Sequence, residues 1–272
     1  MSRFAVWQLV AQIAARLCYN SDEALTNMTA GCCLMTETNM AFSPDLDRVF
    51  ARRGWLSRQS PAARRQVLEM SRRVAFDTGE NIVHIGDSAG GVFGIVSGGV
   101  GTIGVTDLAG PTLGHVMRPG AWFGIGPLLT SGQRSMSFRA MEETELVLAP
   151  LSELRPAMTT DPAFAVMIAQ LTEETTRVGV EVACEALIRS AHRRVAAKLL
   201  RITAVRDGVV SAYPQGFRIN QVDLAEMTAL SRNHVNRILN DFQASGLVAL
   251  SYNHIQITDP EGLAACAREA EA

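Results

Sequence analysis

Residues 220–242, NQVDLAEMTALSRNHVNRILNDF, decide how this chain is read. Val235, Ile238, Leu239 and Phe242 recur at i, i+3, i+4 and i+7, the stripe with which a helix packs onto a core. The opposite face carries Arg232, Asn233, Asn236, Arg237 and Asn240, with no acid between Arg232 and Asn240. Ser231 marks the start of this helix, since its hydroxyl can accept from a backbone N–H that the first turn leaves unpaired. Upstream, Asn220 is placed to cap a first helix with Asp223 three residues on, a capping-box-like pairing, and Ala225 is small enough to let the two helices cross closely. Two capped helices about one turn apart form a helix-turn-helix. An ordinary helical hairpin shares the caps and the stripe, but its outer face usually alternates Glu and Lys. Arginines and amides suit base edges and phosphates instead, so the expected partner is double-stranded DNA. The residues expected to contact it are Asn220, Gln221, Ser231, Arg232, Asn233, His234, Asn236 and Arg237.

The charge around this stretch agrees. The whole chain of 272 residues has a formal charge of −2, which argues for nothing by itself. Between Arg193 and Asn240, however, eight basic residues face three acids (Asp207, Asp223 and Glu226), and beyond Asn240 the tail turns acidic. A phosphate-binding surface is therefore confined to a patch. No stretch has the length and apolarity of a transmembrane helix, so the expectation is a cytoplasmic protein with no membrane partner. Cys18, Cys32, Cys33, Cys184 and Cys266 form no even, regularly spaced framework, which fits a reducing compartment.

Further from the helix pair, the chain divides into zones. Residues 1–43 have weak periodicity and read as an N-terminal extension, loosely ordered. Residues 44–158 begin with helical patterns around Ser60-Pro61. They then change, from about Ala75, to short β-type runs divided by glycine: VAF, NIVHI, GVFGIVSG, GTIGVTDL, TLGHVM, SMSFRAM and ELVLA. Runs of that length with frequent turn signals suggest a small barrel or jelly roll. Residues 159–205 read as a long helix and hinge, opened by Asp161. Within it Ile168, Leu171, Thr175, Val178 and Val182 recur at alternating spacings of three and four, a heptad-like seam. Such a seam either joins two copies or lies on the barrel; because the barrel has a core of its own, the expectation is a homodimer interface. Residues 206–265 hold the helix-turn-helix and then LVALSYNHIQIT, two β runs around Tyr252-Asn253-His254 that form a wing, and 266–272 are a tail. The expected class is α+β: a jelly-roll barrel, a long dimerisation helix and a C-terminal winged helix-turn-helix.

That order resembles the Crp/Fnr superfamily of bacterial transcription regulators over about residues 46–262. Three local matches carry the resemblance: SRNHVNRIL at 231–239, similar to the family's recognition helix; HIGDSAGGVFGIVSGGV at 84–100, similar to its barrel turn and strand; and PGAWFGIGPLLTSGQRSMSFRA at 119–140, similar in spacing to its phosphate-binding cassette. The resemblance implies that Arg232 and Arg237 contact bases or phosphates in the major groove, where an arginine fork meets guanine O6 and N7 together. Asn233 stands where many members have Glu, which implies a different preferred half-site. Ala229 stands where the family often has the turn's glycine.

In the cassette the resemblance places an effector at Gly124, Ile125, Arg134 and Ser135. Arg134 and Ser135 match the phosphate-binding positions, but Ile125 occupies the carboxylate position that would bind a ribose hydroxyl, and Met136 replaces a small residue. Gly179 and Val180 stand where the cyclic-AMP-binding member offers hydroxyls to adenine. The expectation is a sensor that has lost classical cyclic AMP binding, with Arg134 making a structural salt bridge instead; the effector stays unidentified. RNA polymerase is the further partner that such a regulator would engage. Alternatives left open are a cyclic-nucleotide-responsive regulator of the usual type and a ligand-binding module acting through protein partners.

Other chemistries are weakly represented. The barrel holds no cysteine, and Cys32-Cys33 are adjacent, which does not suit an iron–sulfur cluster. His84 and His115 are lone histidines on strands, and such residues more often belong to the core or surface than ligate haem. A redox switch at Cys32 or Cys33 stays open. P-loop and H-E-x-x-H patterns are missing, so neither an enzyme, a metal nor a cofactor is expected.

Overall fold

The computed structural model describes residues 43–88, 90–108, 110–203 and 216–268. The extension, Cys18, Cys32 and Cys33 lie outside them. Helices α1 (Pro44–Arg52) and α2 (Pro61–Glu69) flank a short 3-10 turn at Trp55–Arg58. Both open with the same device: Ser43 accepts from Asp45 N–H and Ser60 from Ala63 N–H, each followed by a proline whose fixed φ suits the first turn.

Eight strands follow: β1 (Arg72–Phe76), β2 (Asn81–Val83), β3 (Gly91–Ser97), β4 (Val100–Gly104), β5 (Thr112–Met117), β6 (Trp122–Phe123), β7 (Ser137–Ala140) and β8 (Thr144–Pro150), with the short helix α3 (Gly126–Thr130) after β6. They form two four-stranded antiparallel sheets, ordered β1-β8-β3-β6 and β2-β7-β4-β5. Phe93, Ile95, Phe123, Phe138, Leu146 and Leu148 form an apolar cluster among these strands, with Phe93 stacked on Phe123 at 5.2 Å. The jelly roll expected from the glycine-divided runs is therefore present, as two four-stranded sheets.

Helix α4 (Leu151–Thr160) was not anticipated, and the long helical zone is split into α5 (Pro162–Ala186) and α6 (Ala191–Thr203). Asp161 does open α5, accepting from Ala163 N–H. The heptad-like seam needs correction. Ile168 and Leu171 are each 1% exposed, buried with Phe50, Trp55, Leu56 and Leu154, while Trp55 Nε1 donates to Met167 O at 2.8 Å. Those two residues are held inside their own chain by α1 and the turn after it and are unavailable to a second copy; Thr175, Val178 and Val182 continue that side half-buried. The exposed stripe of α5 lies elsewhere, at Val166, Ala169, Glu173, Thr176, Val180 and Ala183, ending at Leu187. Heptad spacing identifies a stripe but not which stripe already has a partner, and a barrel with its own core still has an outer surface to cover.

The C-terminal part contains β9 (Phe217–Arg218), α7 (Gln221–Thr228), α8 (Arg232–Ala244), β10 (Val248–Ser251), β11 (His254–Ile257) and α9 (Pro260–Arg268). The three strands form a sheet ordered β10-β11-β9, the wing foreseen around Tyr252. Helix α9 runs across the 265/266 boundary expected for the tail. No described helix is long and apolar enough to cross a membrane.

Candidate nucleic-acid interface

The helix pair is built as its sequence requires. Asn220 Oδ1 accepts from Asp223 N–H at 2.7 Å while its Nδ2 donates to Asp223 Oδ2 at 2.7 Å, and Ser231 Oγ accepts from His234 N–H at 3.2 Å. Asn220 and Ser231 thus have structural work as caps. Between the helices Ala229 adopts φ 51°, ψ 44°, and the N–H of Leu230 reaches Ala225 O at 3.0 Å, closing the first helix. The left-handed turn falls on the residue that stands where a glycine was expected.

Val235, Ile238, Leu239 and Phe242 are buried, and Arg232, Asn233, Asn236, Arg237 and Asn240 are exposed on the other side of α8. His234 is half-buried. Gln221 Nε2 donates to Asn236 Oδ1 at 3.0 Å, so two of the expected contact residues are joined across the helix pair. The acids nearby are engaged elsewhere: Glu226 accepts from the N–H of Leu113 in β5, Asp223 lies 3.7 Å from Arg139 of β7, and Asp241 is 3.0 Å from His192 Nε2. Burial raises the Asp223 pKa, opposed by Arg139 and reinforced by Glu226. The outer face of α8 therefore presents donors and amides, with two arginines free to meet acceptors. At the turn between β10 and β11, Tyr252 is 93% exposed and Asn253 has φ 53°. The sequence marked this hairpin but not its tyrosine; a large aromatic at a turn tip was the available signal.

The cassette residues behave differently. Gly124 (φ 81°) and Arg134 meet as the resemblance implies, but Arg134 is 3% exposed and its guanidinium is spent on main-chain oxygens. Nη1 donates to Gly124 O at 2.6 Å and Nη2 to Gly91 O at 2.6 Å, with the group 5.6 Å above the Phe93 ring. Carbonyls, not a carboxylate, hold it, which corrects the expected salt bridge. Burial lowers its pKa, with the Asp87 field acting in the opposite sense. A Cβ on Gly124 would stand 2.6 Å from Nη1, so only glycine lets the guanidinium approach. Ser135 is exposed, and Ile125 is buried among Trp122, Leu128 and Leu151. Gly179 and Val180 are exposed on α5. Ile125 offers no acceptor to a ribose hydroxyl, and Arg134 reaches a phosphate only by giving up two carbonyls.

His84 is exposed, and among the described residues no three His, Cys, Asp or Glu side chains gather as metal ligands. His115 has a buried Nδ1 with no hydrogen-bond partner, and its pKa is lowered to about 3 by burial first and then by Lys198, Arg201 and Arg118. Lys198, the only lysine of the chain, is 1% exposed.

Two family models match the chain: the cyclic nucleotide-binding domain over residues 73–161 and the Crp-like helix-turn-helix domain over residues 193–266. Together they span more than half of it. The chain is 26% identical over 226 residues to the CRP-like cAMP-activated global transcriptional regulator of Mycobacterium tuberculosis, covering 82% of this chain and all of that protein. It is 27% identical over 197 residues to the global nitrogen regulator of Synechocystis, covering 69% of this chain and 85% of that one. Among solved structures, FixK2 from Bradyrhizobium japonicum superposes with a TM-score of 0.62 at 20% identity, over 74% of this chain and 99% of that one.

Proposed function

From its membership of the Crp/Fnr family of transcription regulators, we propose that this chain binds roughly palindromic DNA as a homodimer, through α8 in the major groove, and that its sensor domain no longer takes cyclic AMP in the usual way. The observation that carries the first half is the outer face of α8 from Arg232 to Asn240, which holds no acid and sets two exposed arginines among exposed amides on a helix capped by Ser231. Dimer symmetry sets two such helices about one DNA turn apart. The dimer seam is the exposed stripe of α5 through Val166, Ala169, Val180 and Leu187. Tyr252 at the wing tip reaches the sugar-phosphate backbone, where a phenolic O–H can donate to a phosphate oxygen. RNA polymerase is the protein partner this reading implies.

The second half rests on Arg134. The two relatives are named for different roles, cAMP activation and nitrogen regulation, so their names do not fix the input of this chain. Its guanidinium is committed to two carbonyls, and Ile125 gives a ribose hydroxyl no acceptor. Selection of bound duplexes from a random pool, followed by a salt titration, tests the DNA reading. A paired, inverted motif with steeply salt-dependent affinity is expected; enrichment of no sequence overturns it. Cyclic AMP at millimolar concentration is expected to leave the Tm unchanged, whereas a rise that grows with ligand concentration overturns the loss of cyclic AMP binding.

A further inference from the structure

Strand β5 lies at the open edge of its sheet, in the order β2-β7-β4-β5. An edge strand presents main-chain donors that no neighbouring strand accepts, and folds cover such edges. Here the register also slips, with Thr102 opposite His115 but Ile103 opposite Leu113. The covering element is α7, the first helix of the DNA reader. Glu226 Oε1 accepts from Leu113 N–H at 2.7 Å. The side chains of Leu113 and Val116, 1% and 2% exposed, sit in one apolar core with Leu199, Phe217, Leu224 and Ile255 of the reader. Around them, Lys198 Nζ lies 3.4 Å from Gly114 O, and Arg118 reaches Arg218 O at 3.4 Å with its guanidinium 5.4 Å from the Phe217 ring centre. Sensor and reader therefore share a core.

The two kinds of contact do different things. Apolar burial holds the reader on the barrel but is non-directional, so a small slide costs little. A hydrogen bond weakens steeply with length and angle, so it fixes the position. At the other end of the reader, Arg194 bonds both Ile188 O and Thr228 O, the second at 2.7 Å, and Arg201 bonds Glu185 at 2.7 Å and Glu181 at 2.9 Å. These tie α7 through α6 to α5, the helix proposed above as the dimer seam. A reader fixed to both barrel and seam can match only one separation of half-sites.

We infer that Glu226 is a positioning residue for DNA recognition: seated on the edge N–H of Leu113, its carboxylate fixes the separation of the two recognition helices and thereby selects the half-site spacing. The inference rests on the dimeric DNA-binding reading. The test uses the full chain and the best selected duplex, with the spacing between half-sites lengthened or shortened by two base pairs, which turns the far half-site by about 70°. Wild type is expected to lose about tenfold or more in affinity at either altered spacing, as for any site whose second half is lost to geometry. Glu226→Ala is expected to bind the optimal duplex about fivefold more weakly, the scale of one hydrogen bond, and to vary by no more than about twofold across the spacings. Glu226→Gln keeps an accepting oxygen and is expected to retain the wild-type profile. A duplex with a single half-site, bound equally by all three, verifies that the variants fold. A sharp wild-type profile in Glu226→Ala, or a flat one in Glu226→Gln, overturns the positioning role. A wild-type chain that does not dimerise or select DNA overturns the parent reading, and the positioning role with it.

Discussion

Arg134 and Arg237 are the same residue in two matched motifs of one chain, and the fold uses them in opposite ways. Arg237 stands on the exposed face of α8. Arg134 is buried over Phe93 with two carbonyls on its fork. A motif therefore records where a side chain stands along the chain, and only its surroundings determine whether it is free to meet a ligand. The helix-turn-helix domain keeps Arg237 outward, whereas in the sandwich Arg134 is held by two carbonyls.

The comparison can be broken most directly at Arg134. Arg134→Met keeps the length of the side chain but leaves the Gly91 and Gly124 carbonyls without their donor, and is expected to cost about 2–4 kcal/mol of stability in denaturant unfolding. Wild-type stability in that variant would mean that the guanidinium is free after all. At the other pole, Arg237→Ala should weaken binding to the selected duplex by about 1–3 kcal/mol and leave folding intact. If discrimination between selected and scrambled duplexes is unchanged, Arg237 is not reading bases.

Between the poles lies His115, beside the shared core. Its folded pKa of about 3 is below the ordinary 6.5, so the unfolded chain takes up a proton that the folded chain refuses. Stability is therefore fully present above about pH 6.5 and is lost progressively as pH falls toward 3, on the order of 2 kcal/mol by about pH 4.5. Unfolding free energies of wild type and His115→Gln between pH 7 and pH 4.5 should diverge by that amount; parallel pH profiles would show that the histidine is not enclosed. The smallest effect is expected at the turn. Ala229 at φ 51° carries a left-handed strain that glycine relieves, so Ala229→Gly should gain about 0.5–1 kcal/mol by thermal unfolding with DNA affinity unaltered.

The reader was legible because its signals are local. The caps at Asn220 and Ser231, the stripe from Val235 to Phe242 and the hairpin around Asn253 each depend on residues within a few positions, and the structure builds them as spaced. The long helix was legible as a helix but not by face: Ile168 and Leu171 carry heptad spacing, and what covers them is Trp55 and its neighbours, more than a hundred residues away. Helix α4 was missed because Leu151, Leu154 and Ala157 bury one side while Pro156 and Thr159-Thr160 argue locally against a helix. Glu226 entered the sequence reading only as one of three acids in a basic stretch, since its partner is an N–H of an edge strand that no sequence window reveals.

By itself, then, the sequence determined the run of strands, the capped helix pair with its exposed face of arginines and amides, and the departures at Ile125 and Ala229, because periodicity, capping and turn chemistry act over one or two helical turns. The tertiary structure decided the use of each: which stripe of α5 is covered, that Arg134 is consumed by carbonyls, and that β5 and α7 close over one core. Those outcomes depend on burial and hydrogen-bond satisfaction, and both are set by groups that the chain brings together only when it folds.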